Sequence, residues 1–74
     1  MANIDSSQDL GALIRDERKR QTLTQEQLAA LSGVGVRFVR ELEHGKESCQ
    51  VGLALTVMQT LGLTFTVNNR EDDA

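Results

Sequence analysis

Apolar residues recur at helical spacing through most of the chain, and the breaks between the runs are short and chemically distinctive. Leu10, Leu13 and Ile14 stand three and four apart, which places them on one helix face. Ser6, with Asp9 three residues on, supplies a start: the hydroxyl accepts a first-turn N–H and the acid meets the positive end of the dipole. A first helix over about residues 7–21 follows, ending in Arg18, Lys19 and Arg20, which suit the negative end of the dipole. Thr24 and Gln27 form a capping-box pair that opens a second, short helix at Gln25. Leu28 and Leu31 are expected inward, with Ala29 and Ala30 small enough for close packing, and Gly33 after Ser32 takes the left-handed stop. Val34, inside that turn, pins the next helix once buried. Gly35 is a permissive N-cap for a third helix over 36–43, with Val39 and Leu42 inward and His44-Gly45 as its end.

Residues 46–50 read as a loop anchored by Cys49, and a fourth helix follows over about 53–61 with Val51, Ala54, Leu55, Met58 and Leu61 on one face and Gly62 as its stop. The period then changes. Leu63, Phe65 and Val67 alternate strictly with Thr64 and Thr66, the pattern of a half-buried strand. An unpaired strand leaves its backbone donors and acceptors without partners, and pairing with the same strand of a second copy across a two-fold axis is the economical remedy. A homodimer is therefore expected; the alternatives are pairing with residues 2–4, or fraying. Residues 68–74 have no apolar anchor and read as a flexible acidic tail.

Composition sharpens this all-α picture. Seventy-four residues, 39 % of them apolar, make one domain that buries only about 60 % of its unfolded surface, so packing and association must supply its stability. No apolar run approaches the roughly 18 residues of a membrane span, and the N-terminus lacks a basic-then-apolar leader, so a soluble, cytoplasmic protein is expected. One Cys and one His give no disulfide, no metal-ligand spacing and no cofactor expectation. Cys49 reads as a small buried thiol and His44 as a capping or exposed histidine. No paired carboxylates or glycine-rich phosphate loop mark a catalytic site, which disfavours an enzyme. With Phe38 and Phe65 the only aromatics, single-stranded nucleic acid is disfavoured too.

The net charge of −3 and pI near 4.9 are unusual for a phosphate binder, but the distribution matters more than the sum. Residues 15–46 carry a balance of +2 and the flanks −5. Base sits in the middle, where two short helices are joined by a tight turn.

The stretch 23–46, LTQEQLAALSGVGVRFVRELEHGK, resembles the Cro and phage-repressor (XRE) family of helix-turn-helix domains, and with the flanking helices the similarity covers about residues 8–67. Arg37-Phe38-Val39, Glu41-Leu42-Glu43, Gly45-Lys46 and the strand after Leu61-Gly62-Leu63 look like the HipB-type antitoxin branch. The resemblance implies a four- to five-helix lambda-repressor-like domain over 1–67, with the helix-turn-helix at 24–43 and a dimerising strand at 63–67. It also implies a dimeric autorepressor that binds a HipA-type kinase toxin. By position, Thr24 and Gln25 match residues that bond a DNA phosphate, as does Lys46. Gly35, Val36, Arg37, Arg40 and Glu41 match positions that face the major groove. Arg18 and Glu43 match an ion pair tying the first helix to the end of the recognition helix.

Among these, Arg37 is the strongest base reader, because arginine pairs bidentately with guanine. Val36 suits a thymine methyl, and Gly35 lets the backbone approach. Arg40 is open to base or phosphate; Glu41 either accepts from cytosine or orients Arg37 four residues earlier. Lys19 is a phosphate candidate, with a merely solvated helix end as the bland reading. Phe38 departs from the wider family's polar residue and is expected to pack rather than stack. The expected function is a sequence-specific repressor of double-stranded DNA, the antitoxin of a toxin–antitoxin pair; the alternatives are a stand-alone phage-type repressor and an interaction module of the same shape that binds no DNA.

Overall fold

The chain is described over residues 3–69 in a computed structural model. Four helices follow in order: α1 (Ser7–Arg20), α2 (Gln25–Ser32), α3 (Val36–Glu43) and α4 (Val51–Thr60). Their starts follow from local chemistry. The Ser6 hydroxyl accepts from the Asp9 N–H at 3.1 Å. At α2 the box is reciprocal: Thr24 Oγ1 accepts from the Gln27 N–H at 3.0 Å and Gln27 Oε1 accepts from the Thr24 N–H at 2.8 Å, so two first-turn donors are satisfied at once. Gly35 and Gln50 begin α3 and α4 without a side-chain cap bond. Gly33 ends α2 at φ 73° and Gly45 follows α3 at φ 80°, a region where a Cβ is penalised.

Each helix contributes one fully buried side chain, Ile14, Leu28, Val39 and Val57, and Ala29, Leu42, Ala54, Met58 and Leu61 close the core around them. Complete burial of such a residue contributes about 1.5–3 kcal/mol. Helix α3 packs on α1 and α2, and α4 on α2. Gly11 allows the first of these contacts: a Cβ there would meet the Leu42 carbonyl oxygen and lie 2.7 Å from that of Glu43. The backbones of α1 and of the end of α3 thus approach directly.

Two expectations need correction, the inward face of α2 and the start and face of α4. Leu31 is 64 % exposed rather than inward, and Ala30 is exposed with it. The inward arc of α2 runs through Gln25, Leu28, Ala29 and Ser32, and Leu31 lies past its edge. Helix α4 begins at Val51, two residues before the expected start, and its arc is Ala54, Val57, Met58 and Leu61. Val51 and Leu55 are exposed, and Val57, absent from the expected face, is central. Residues 63–69 form no strand within the single chain. Leu63 packs against the core, whereas Phe65 and Val67 are 58 % and 77 % exposed. Of the expected acidic tail, 70–74 lie outside the described residues.

Candidate nucleic-acid interface

Helix α3 divides its residues cleanly. Val39, Leu42 and Glu43 face inward, while Arg37 and Arg40 are exposed. Gly35 is exposed at its start, with open space around it. Val36 and Phe38 are half-buried and pack partly against the core, so only part of Val36 is presented outward.

The inward end of α3 holds a buried network. Arg18, from α1, donates through Nε to Glu43 Oε2 at 2.6 Å and through Nη2 to Oε1 at 3.0 Å, and Nη1 donates to the Leu23 carbonyl at 2.8 Å. The side chains are 10 % and 2 % exposed. The hydrogen bonds to Glu43 raise the affinity of Arg18 for its proton against the opposing cost of burial. Gln25, first residue of α2, donates through its side-chain Nε2 to Glu43 Oε1 at 3.2 Å. One carboxylate therefore fixes α1, the start of α2 and the end of α3 relative to one another.

The outward side holds a second, open cluster. Lys46 Nζ donates to Glu41 Oε2 at 3.0 Å, and Arg37 Nε lies 3.4 Å from the same oxygen. The bond from Lys46, with further attraction from Lys46 and Arg37, holds the Glu41 carboxyl below its ordinary range. Thr24 is exposed, its hydroxyl engaged in the cap, and Lys19 is exposed on α1. The Gly35, Arg37, Arg40, Glu41 and Lys46 positions thus share α3 and its following turn, with Thr24 and Gln25 at the neighbouring helix start.

A family model described as Helix-turn-helix matches residues 14–68. The uncharacterized HTH-type transcriptional regulator y4mF of Sinorhizobium fredii (strain NBRC 101917 / NGR234) is 47 % identical over 64 residues, 86 % of this chain and 84 % of that protein. The chain belongs to the XRE-type helix-turn-helix family. In fold it matches the solved "HipB-O4 20mer complex" and "Structure of HipA-HipB-O2-O3 complex", each at TM-score 0.85 and 20 % identity over 95 % of this chain and 99 % of the other.

Some residues that support this helix-turn-helix domain carry no motif. Gln21 donates its amide to the Leu61 carbonyl and to Glu17 Oε2, each at 2.8 Å, which fastens the end of α1 to the end of α4. Thr22 takes φ 57°, and the turn it makes brings the Leu23 carbonyl back to Arg18. Nothing local announces either, since glycine would be the ordinary signal for that turn. His44 is exposed, and Cys49 is half-buried against the core. Among the described residues no group of three or more His, Cys, Asp or Glu could hold a metal, and no helix is long and apolar enough to cross a membrane.

Proposed function

We propose that this helix-turn-helix regulator is a sequence-specific repressor of double-stranded DNA, acting as a cytoplasmic homodimer and as the antitoxin of a HipBA-type pair that represses its own operon and binds a kinase toxin. The observation that carries the DNA reading is the exposed cationic side of α3: Arg37 is 84 % exposed in its side chain, Arg40 is exposed beside it, and Lys46 follows in the next turn. Arg37, Arg40, Glu41, Val36 and Gly35 read base edges. Thr24, Gln25, Lys46 and Lys19 take phosphates, the first two at the start of α2, where backbone N–H groups and the helix dipole favour an anion. Repression needs no chemistry beyond occupancy of a promoter.

The uncovered Phe65 and Val67 and the helical likeness to HipB support the dimer through residues 63–67. Two strands pairing across a two-fold axis satisfy backbone groups that a single chain leaves open. The two recognition helices then enter successive major grooves about 34–36 Å apart, and the operator is an inverted repeat. The complex of HipA with HipB among the similar structures supports a kinase partner. Loss of residues 63–74 converts the protein to a monomer in sedimentation; a truncated chain that still sediments as a dimer sinks the strand pairing.

Fluorescence anisotropy with promoter duplexes at several salt concentrations tests the DNA reading. Affinity falls by about 0.9 log unit per log unit of salt for each phosphate neutralised. Arg37→Ala relaxes preference at one base position by about 1–3 kcal/mol, whereas Lys46→Ala weakens all sequences equally. The overall charge of −3 favours a second reading, an interaction module that binds no DNA, and absent or salt-independent binding selects it.

A further inference from the structure

Glu41 receives two cations on one oxygen. Lys46 Nζ stands 3.0 Å from Oε2 and Arg37 Nε stands 3.4 Å from it. Arg37 arrives by ordinary helical spacing, four residues earlier on the same face. Lys46 is five residues later, a separation that a straight helix does not bring together. It returns because left-handed Gly45 reverses the chain: the Lys46 N–H donates to the Glu41 carbonyl and the Gly45 N–H to that of Leu42, each at 3.1 Å. A Cβ on Gly45 would lie 2.8 Å from Gln8 Cα, so packing on α1 fixes the turn that aims Lys46 at Glu41.

Both cations are open to an incoming anion, with side chains 84 % and 48 % exposed, yet each already has a partner. A pair this exposed is weak in water and exchanges readily. Each cation keeps N–H donors beyond the one turned to Glu41, but the carboxylate offsets part of the charge they present to a phosphate and repels the backbone it faces.

We propose that Glu41 is an internal counterion that sets DNA specificity, competing with phosphate for Lys46 and Arg37 and holding down affinity for arbitrary sequence. This rests on the DNA-binding reading above. On arbitrary DNA the gain is mainly phosphate contact, so the competition is felt in full. On the cognate site the released Glu41 carboxylate itself meets a base edge and accepts from it, which offsets there a cost that arbitrary DNA leaves uncompensated. The acidic residue thus widens the gap between specific and nonspecific binding.

The test compares wild type, Glu41→Gln, Lys46→Gln and the double variant by fluorescence anisotropy. Two duplexes are used: one of random sequence, and the tightest binder selected from a randomised library. Salt runs from about 50 to 200 mM. Circular dichroism melting confirms that each variant is folded, and Glu41→Ala is the second variant if Glu41→Gln is not. Glu41→Gln binds the random duplex about 3- to 10-fold more tightly, and its salt slope steepens by about 0.9 per phosphate newly engaged. The selected duplex gains less, so the specificity ratio falls, and in the Lys46→Gln background the gain shrinks because the restrained cation is gone. A folded Glu41 variant with unchanged or weaker affinity for random DNA overturns the counterion role, as does an equal gain without Lys46. Wild type that binds neither duplex at low salt overturns the DNA-binding reading instead.

Discussion

Glu41 and Glu43 stand two residues apart on α3, each hydrogen-bonded to a cation, and their surroundings give them opposite work. Two helical steps turn the side chain by roughly 200°, so one carboxylate looks into the protein and the other out of it. Glu43 is 2 % exposed and is met by Arg18 and Gln25; Glu41 is 31 % exposed and is met by Lys46 and Arg37. Burial decides the consequence. A desolvated carboxylate cannot lose its partner without a large penalty, whereas a solvated one can exchange it at little cost. The inner pair therefore fixes helices, and the outer one is suited to being displaced.

The strongest way to break this comparison is to remove the inner carboxylate. Glu43→Ala leaves Arg18 buried without its counterion and frees Gln25, and a loss of about 3–5 kcal/mol is expected. A small domain has total stability of about 5–15 kcal/mol, so urea unfolding should show most of it gone. Replacing Arg18 and Glu43 together by leucine should recover much of the loss, because an apolar pair needs no desolvation of charge. A drop below about 1 kcal/mol for Glu43→Ala would place Glu43 in the same class as Glu41.

Gly11→Ala strikes the same region through the backbone. The new methyl meets the Leu42 carbonyl and lies 2.7 Å from that of Glu43, so α1 must withdraw from the end of α3 and stretch the Arg18 pair. Overpacking of this kind exceeds the helical gain of alanine over glycine, leaving a net loss of about 1–2 kcal/mol in thermal or urea unfolding. A stabilised variant would mean that α1 can shift freely.

The parts of this architecture that sequence makes legible are those written within one turn. Thr24 with Gln27 states the start of α2, and Gly33 and Gly45 state where α2 and α3 end, because cap geometry requires those residue types at those offsets. Leu31 and Val57 show the limit of periodicity in helices of 8 and 10 residues: with so few turns, a small rotation of the buried arc exchanges an inward residue for an outward one. Gln21 and Leu61 are 40 residues apart, and no local rule links them. The Arg18 and Glu43 pair, 25 residues apart, is legible in the family resemblance and not in charge spacing. Alternation at 63–67 describes a face but not what covers it, and among the described residues no segment pairs with it as a strand.

Thr22 offers a smaller test of how the inner site is held. Its φ of 57° is costly for a β-branched residue, and the turn directs the Leu23 carbonyl to Arg18 Nη1. Thr22→Gly relieves the strain but surrenders unfolded-state restriction and the bond from its hydroxyl to the Gln21 carbonyl. A net gain of about 0.5–1 kcal/mol is expected in urea unfolding, with the Arg18 network unchanged. A loss of stability would show that the threonine side chain itself holds the turn.

The smallest effect belongs to the outer carboxylate and is read by acid. Lys46 first, then Arg37, lowers the Glu41 carboxyl from its ordinary value of 4.5. A depressed folded value contributes stability that is present above the unfolded value and is lost as pH falls through the folded one. The contribution is therefore intact at neutral pH and disappears only below about 4.5. Titration followed by the side-chain carboxyl resonance should place the Glu41 midpoint below an ordinary glutamate, and Lys46→Gln should move it upward more than Arg37→Gln does. A larger rise from Arg37→Gln would make the helical pair, rather than the Gly45 turn, the device that restrains the outer face.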